Sequence, residues 1–257
     1  MSPVRPLVVG NWKMNLDHVE AIHLTQQLGV LLRTISHEHT DVIVMPPFVD
    51  LRSVSSVMEA DRLPMHLGAQ HVSQFEGGAY TGEISVEMLK RLGVKTVLVG
   101  HSERRQHFHM DDDVLMATFE TVLRAGLTPL LCIGESQEIR DGGRYAKFVA
   151  EQIRAVMNAT FERPIMVAYE PLWAIGTGTS ATTEQVAEMV DIIRHALPLH
   201  IATSTPVLYG GSVNAANAHE LAQNGDVNGF LVGGASLKAD EFVAIVAATN
   251  DCYPKSR

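Results

Sequence analysis

Short, continuously apolar segments recur along the chain, with room for a helix after each one. Most of them show no alternation of polar and apolar positions, which is typical of parallel strands that are covered on both faces. The pattern predicts eight strands, at Leu7–Gly10, Val42–Met45, Leu67–Ala69, Thr96–Gly100, Pro129–Gly134, Ile165–Tyr169, Val207–Gly210 and Gly229–Gly233.

The intervening segments carry apolar residues near helical spacing. One series runs from Val114 to Leu123 and stops before Gly126. Another runs from Val186 to Ile193 and stops before Pro198, and glycine and proline are ordinary helix terminators. The acidic triplet Asp111–Asp113 fits a helix start, where the helix dipole favours negative charge, and fits equally well as a solvated surface run. Met58, Met88 and Met116 are interpreted as core filler.

Eight alternating strand–helix units, with no low-complexity linker or break in composition, predict one (β/α)8 TIM barrel domain over residues 1–257 rather than an open sheet. Crossovers between parallel strands are right-handed, so all strand C-termini are expected at one mouth of the barrel. The residues that directly follow the strands are therefore the candidates for chemistry.

Composition narrows the possible partners. Of 257 residues, 20 are Lys or Arg and 29 are Asp or Glu, a net charge of −9 without a basic block, so we expect no nucleic-acid partner. No apolar run approaches the roughly 20 residues of a membrane helix, and the first residues lack a signal-peptide pattern. Cys132 and Cys252 cannot form a disulfide scaffold, and we expect a cytoplasmic protein.

Three polar side chains follow predicted strands where catalysis could use them. Lys13 follows the first strand and could meet an anion or a developing oxyanion, although an isolated lysine is more often an ordinary surface residue. His101 follows the fourth strand as a possible proton donor or as a structural histidine. Glu170 ends the sixth strand before Pro171, which would hold one carboxylate in the mouth as a general base.

Glycine pairs follow the last two strands, at Gly210–Gly211 before Ser212 and at Gly233–Gly234. Glycine lets backbone N–H groups approach a ligand, and barrels often bind phosphate at these two loops. The segment 171–179 has an apolar middle between Pro and Gly-rich ends, which indicates a lid that excludes water or a tryptophan packed on the rim.

Two further patterns are weaker. His107 and His109 beside Asp111 could hold a metal ion, but no recognised ligand motif supports such a site. The series Gly176-x-Gly178-x-x-Ala181 matches a dinucleotide fingerprint formally, but it does not open directly from a strand. We expect no metal and no cofactor.

Taken together, the residues after the strands closely resemble the triosephosphate isomerase family, in the family's order and over nearly the whole chain. The matching segments are Gly10-Asn11-Trp12-Lys13-Met14-Asn15, Gly100-His101-Ser102-Glu103-Arg104-Arg105, Ala168-Tyr169-Glu170-Pro171 with Trp173-Ala174-Ile175-Gly176-Thr177-Gly178, Tyr209-Gly210-Gly211-Ser212-Val213 and Leu231-Val232-Gly233-Gly234.

The resemblance implies interconversion of dihydroxyacetone phosphate and glyceraldehyde 3-phosphate through an enediolate, without a metal or organic cofactor. It implies that Glu170 removes the carbon-bound proton, that a neutral His101 polarises the carbonyl, and that Lys13 stabilises the developing charge. A neutral histidine beside a glutamate base is a known pattern of this family. Asn11 would orient the substrate. The supporting residues would be Ser102 and Glu103, and the phosphate donors would be Gly176, Ser212, Gly233 and Gly234.

The resemblance also implies a homodimer. The segment from Gln70 to Glu83 is similar to the family's projecting third loop, in which Thr81 approaches the partner's active site. Three positions depart from the family. They are His71, where Asn is usual, Leu172, where Val is common, and Thr179, where Lys is common.

Two other classes of function compete with the isomerase. Another phosphosugar barrel enzyme, such as an aldolase, would use Lys13 as a Schiff base. A non-catalytic binding barrel would be expected to lack at least one of Lys13, His101 and Glu170, and all three are present.

Overall fold

Eight parallel strands close into a barrel in the computed structural model, which describes residues 4–157, 164–174 and 180–253. The strands are β1 (Leu7–Asn11), β2 (Asp41–Met45), β3 (His66–Ala69), β4 (Thr96–Val99), β5 (Thr128–Ile133), β6 (Met166–Tyr169), β7 (Val207–Tyr209) and β8 (Gly229–Val232). Each strand pairs with the next one, and Leu7 of β1 lies opposite Gly229 of β8, which closes the ring. The barrel is confirmed, and every predicted strand end lies within one residue of the observed end.

Helices surround the barrel in alternation with the strands. They are α1 (His18–Leu32), α2 (Leu51–Ala60), α3 (Val86–Arg91), α4 (Ser102–His107), α5 (Asp112–Arg124), α6 (Gln137–Asp141), α7 (Tyr145–Val156), α8 (Thr183–Ala196), α9 (Leu199–Ala202), α10 (Ala218–Asn224) and α11 (Ala239–Cys252). The Asp111 side chain accepts a hydrogen bond from the Val114 N–H and caps α5, which agrees with the helix start predicted from the acidic triplet. A capping box of Thr182 and Gln185 begins α8 in the same way.

The continuous apolar character of the strands follows from two separate buried layers. Successive side chains on a strand point to opposite faces, so Val9 of β1 belongs to the layer inside the barrel and Val8 to the layer beneath the helices. Both side chains are fully buried. Since neither face meets water, no polar residue interrupts the strands.

Some predicted core positions differ from the structure. In α5 the fully buried apolar side chains include Leu115 and Phe119, whereas Met116 is only half-buried. Met88, interpreted from the sequence as core filler, is 56% exposed on the surface of α3. Among the described residues, no helix combines the length and the apolar character that crossing a bilayer requires.

Candidate active site

A cavity of about 370 Å³ opens at the carboxyl ends of the strands. Seven predicted site residues line it, namely Asn11, Lys13, His101, Glu170, Ser212, Gly233 and Gly234. Ser102 and Glu103 stand directly behind this lining and contact it through hydrogen bonds. Gly176 lies outside the described residues. Thr81, which was predicted to approach a partner's active site, lies on an exposed loop.

Lys13 is held at the mouth by a strained backbone. Its φ of 54° lies in the left-handed region, which costs a non-glycine residue about 1–3 kcal/mol. The Lys13 N–H donates to Asn11 Oδ1 at 3.1 Å, and Gln70 Nε2 donates to the Lys13 carbonyl at 2.8 Å. Gln70 Nε2 also donates to the Met45 carbonyl at 2.8 Å, which ties β1 to β2. Sequence reasoning missed this clamp because a lone glutamine carries no motif.

The Lys13 ammonium pairs with Glu103, with Nζ 2.7 Å from Oε1. Partial burial alone would raise the pKa of the Glu103 carboxyl. The hydrogen bond from Lys13, together with the nearby His101 and Lys13 charges, outweighs that effect and lowers this pKa below its usual value. Glu103 is therefore ionised at neutral pH, and the pair holds the Lys13 side chain against the cavity.

The hydrogen bonds of His101 define which ring nitrogen carries a proton. The side chain is buried at the N-cap of α4, where the Glu103 N–H donates to Nδ1 at 3.3 Å. A nitrogen that accepts this bond has no hydrogen of its own, so in the neutral ring the proton sits on Nε2. Nε2 lies 3.2 Å from Glu170 Oε1 and points into the mouth.

The Glu170 carboxylate is 2% exposed and has two N–H neighbours. Its Oε2 accepts from the Ser102 N–H at 3.2 Å, and its Oε1 faces His101. Gly134 lies so close to the Glu170 backbone that a Cβ there would overlap the Glu170 carbonyl. Burial, and then the Glu170 charge, raise the pKa of the Cys132 thiol well above its ordinary value, so the thiol stays protonated and donates to the carboxylate.

A second buried carboxylate, Glu135, anchors the start of the segment 171–179 and was not predicted. It has no exposed surface, and its Oε1 accepts from Arg140 Nη1 at 2.9 Å, Tyr169 OH at 3.0 Å and Trp173 Nε1 at 3.0 Å. Burial, and then the neighbouring carboxylate, raise the pKa of Tyr169. Trp173 is therefore packed in place, in agreement with the rim packing that the sequence offered as one alternative, and it anchors the 3-10 turn Leu172–Ala174.

An Arg140→Ala variant is expected to lose about 3–5 kcal/mol of unfolding free energy, because Glu135 would remain buried without its cation. Urea denaturation measures this loss. In a Glu135→Gln background the same substitution should cost much less, since no buried charge is left behind. Equal losses in the two backgrounds would contradict the ion-pair explanation.

Hydrogen bonds connect the lid's two described ends to the seventh loop. Ser212 Oγ donates to the Ala174 carbonyl at 2.8 Å, and Ser180 Oγ donates to the Ser212 carbonyl at 3.0 Å. The Ala181 N–H donates to Tyr209 OH at 3.2 Å. Ser212 is therefore bonded to the described residues on both sides of positions 175–179. Thr179 lies outside the described residues, as does the Gly176 N–H that was predicted to meet phosphate.

The predicted phosphate end of the cavity lies beside Lys13. A Cβ placed on Gly233 would lie 3.5 Å from Lys13 Cε, an ordinary van der Waals distance, so Gly233 and the lysine side chain are direct neighbours. Gly234 then begins a short 3-10 helix, Gly234–Leu237, directly after β8. The first N–H groups of a helix have no partner within the helix, and barrels commonly hold phosphate at the loop after the eighth strand.

Exposed apolar side chains lie on the third loop and beside Lys13. The Phe75 and Tyr80 rings, on the loop that carries Thr81, stack with centroids 3.8 Å apart, and Met14 is 95% exposed. A single chain does not ordinarily leave such a group of side chains open to water.

His71, in the same loop, predicts a pH dependence of stability. Burial, and to a smaller extent the Arg104 charge, lower the pKa of His71 to about 4. In the unfolded chain this pKa returns to about 6.5, so below that pH the unfolded state binds more protons. The free energy of unfolding therefore falls as the pH drops from about 6.5 to about 4.

His71→Asn, the amide usual in the resembled family, should remove that part of the pH dependence. Urea denaturation at pH 7 and pH 4.5 is expected to show a drop in unfolding free energy about 2 kcal/mol smaller in the variant than in the parent. An identical drop in both proteins would exclude His71 as the cause.

Metal-binding side chains do not gather around a common point. Within 4–157, 164–174 and 180–253, no three His, Cys, Asp or Glu side chains converge on a position that could hold a metal ion. His107 and His109 are both exposed, and His109 has a φ of 52°.

Comparison with known proteins agrees with the geometry of the mouth. Residues 6–249 match the family model described as triosephosphate isomerase. A relative of that name from Nocardia farcinica is 48% identical over 250 residues, which cover 95% of this chain and 96% of the relative. Relatives with the same name from Rhodococcus jostii and Mycolicibacterium paratuberculosis are 46% and 45% identical, again over 95% of this chain and 96% of theirs.

Proposed function

The chain belongs to the triosephosphate isomerase family, and from this we propose how its own side chains interconvert dihydroxyacetone phosphate and glyceraldehyde 3-phosphate. The observation that carries the proposal is the contact of the buried Glu170 carboxylate with His101 Nε2 at 3.2 Å, inside a cavity that Lys13 also lines. The three groups supply a base, a proton donor and a cation around one space.

Glu170 is proposed as the base that takes the proton from C1 of dihydroxyacetone phosphate. Its carboxylate is held by the Ser102 N–H, and it must leave that donor to reach carbon, a short rotation of a side chain whose backbone is fixed by contact with Gly134. The proton removed from C1 is later returned to C2 from the same carboxyl group. No net proton is gained or lost in the conversion.

His101 and Lys13 are proposed to stabilise the oxygens of the enediolate. The His101 Nε2–H can donate its proton to the carbonyl oxygen at C2 as the C1 proton leaves, and the same nitrogen then takes the proton of the C1 hydroxyl, so that one proton passes from O1 to O2. The ammonium of Lys13 faces the charge that develops on these oxygens. The side chain of Asn11 lines the same wall and orients the substrate. Ser102 and Glu103 act on the substrate indirectly, through Glu170 and Lys13 respectively.

The phosphate is proposed to lie on the backbone N–H groups of Ser212, Gly233 and Gly234, with Gly176 of the closed lid as a further donor. The first three residues line the cavity, and Gly233 lies beside Lys13. Because the protein carries a net charge of −9, a dianion must be held by these local donors rather than by overall attraction. Lid closure would then exclude water from the enediolate.

The direct test measures isomerisation of glyceraldehyde 3-phosphate by the purified protein, coupled to NADH oxidation by glycerol-3-phosphate dehydrogenase. We expect rapid conversion that a chelator does not slow. Conversion no faster than in buffer, by a protein shown to be folded, would defeat the proposal.

A Schiff-base aldolase is disfavoured by the Lys13–Glu103 ion pair. A lysine must lose its proton before it attacks a carbonyl, and a carboxylate 2.7 Å from Nζ stabilises the protonated form. Borohydride added with substrate should therefore leave activity intact, whereas covalent trapping on Lys13 would favour the aldolase.

We also propose that the chain forms a cytoplasmic homodimer, each chain folded as one domain. The resemblance of the third loop supports the dimer, as do the exposed apolar side chains of Met14, Phe75 and Tyr80. In a symmetric homodimer, the third loop, which carries Thr81, would pack against a second copy of the chain through the same surface on both chains.

Met14→Arg is expected to turn the dimer into a monomer, because it places a charge in the proposed interface. Sedimentation should show the parent near twice 28.1 kDa and the variant near 28.1 kDa. Leu199→Arg is the matched control, since Leu199 is also 95% exposed but lies outside the third-loop surface. A monomeric parent, or two variants with the same mass, would rule out this interface.

A further inference from the structure

A groove on the outside of the barrel concentrates positive charge. It encloses about 470 Å³ between α2 and the C-terminal end of α3, on residues that do not line the mouth. Its charged walls consist of four cations, a histidine and one carboxylate, namely Arg52, Lys90, Arg91, Lys95, His66 and Glu59. In a chain with a net charge of −9, this local excess of cations is unusual.

Most of these cations are not neutralised within the chain. Lys90 Nζ pairs with Glu87 Oε1 at 2.9 Å in the last turn of α3. For Arg52, Arg91 and Lys95, the part of the chain that the structure describes holds no carboxylate within 4.0 Å. All three side chains are exposed, so they can turn towards a bound anion without breaking an existing ion pair.

The floor of the groove is apolar. Met65 and Leu67 are buried beneath it, and Met58 and Leu92 are half-buried along its length. A hydrogen bond of 2.9 Å from Ser55 Oγ to the Leu92 carbonyl holds α2 against the end of α3, so the floor is preformed. The thioether of methionine packs well against flat aromatic rings.

We propose that this groove binds a nucleoside polyphosphate, with its base on the Met58 and Leu92 floor and its phosphates on Arg52, Arg91 and Lys95. The volume is within the usual range for a small-molecule site. Guanidinium groups match phosphate oxygens in pairs, and a chain of phosphates satisfies several cations at once. A triose phosphate has one phosphate and no ring, so it would leave most of this surface unused.

Isothermal titration of the full chain with ATP tests the proposal, at low salt and with the mouth saturated by glycerol 3-phosphate, which has no carbonyl to react. We expect one ATP per chain. Arg91→Ala/Lys95→Ala should weaken binding at least tenfold, because each charge-assisted hydrogen bond contributes roughly that factor. Arg144→Ala/Lys147→Ala removes the same charge from exposed positions on and beside α7 and should bind as the parent does.

Two further titrants separate the parts of the ligand. Tripolyphosphate should bind more weakly than ATP and lose affinity in the same groove variant, while adenosine should show no saturable binding. Isomerase turnover should be equal in the two double variants. This equality serves as the control that both variants are folded. ATP binding that is absent, that survives the groove variant, or that glycerol 3-phosphate displaces would overturn the proposal, as would equal affinity for tripolyphosphate.

Discussion

Glu170→Gln is expected to lower kcat about 10³-fold while leaving the fold unchanged. An amide keeps the shape that fits against Gly134 and Gly210, where a Cβ on Gly210 would lie 3.0 Å from Glu170 Cγ. It also keeps an oxygen that can accept from the Ser102 N–H. The amide cannot take a proton from carbon at neutral pH, and a positioned general base commonly contributes about 10²–10⁴-fold.

The coupled assay measures turnover, and incorporation of solvent deuterium into the substrate measures proton removal separately. Both should fall together in Glu170→Gln. Glu170→Asp keeps a base but withdraws it by one methylene, for which a loss of about 10²-fold is expected. Glu151→Gln removes an exposed carboxylate and should change neither rate. Deuterium exchange that persists in Glu170→Gln would assign proton removal to another group.

The barrel was predictable because strand burial on two faces leaves a simple signal. Val8 and Val9 are both fully buried, on opposite faces of β1, and this produces an uninterrupted apolar run. The ends of most strands could also be predicted, since polar residues or glycine follow at the point where a strand is no longer buried on both faces. The prediction for Met88 was wrong because it rested on residue type alone, and an apolar residue can also lie on the outer face of a helix, as Met88 does on α3.

The convergence of the candidate site residues could be predicted for a topological reason. Ser102 and Glu170 are 68 positions apart, and Lys13 and Glu103 are 90 apart, yet each pair is in contact. Closure of parallel strands brings their C-terminal ends together, so polar residues after different strands converge whatever their separation.

The residues that hold the site could not be predicted in the same way. Glu135 contacts Arg140, Tyr169 and Trp173, and none of the four has a spacing that suggests the cluster. The Gln70 clamp depends on the left-handed backbone of Lys13, which hydrophobic pattern does not encode. These side chains make their contacts only after the barrel has closed. The contacts therefore cannot be predicted from neighbouring positions in the sequence.

Lys13→Met is expected to reduce kcat/KM by about 10²–10³-fold, the usual cost of losing one donor to a developing oxyanion. Methionine is close to lysine in length and fits beside Gly233, so the wall of the cavity keeps its form. The ammonium disappears, however, and the ionised Glu103 carboxylate is left facing the cavity without its partner at 2.7 Å. That charge opposes entry of a dianionic substrate as well as formation of the enediolate.

A double variant separates these two effects. Lys13→Met/Glu103→Gln removes the unpaired carboxylate, so it should recover most of the loss in KM, whereas kcat should remain low because no cation faces the enediolate. Glu103→Gln alone leaves Lys13 in place and should change kcat only modestly. If Lys13→Met keeps kcat within about threefold of the parent, charge stabilisation must come from His101 and the backbone donors, since removing a group that stabilises the transition state more than the bound substrate must lower kcat.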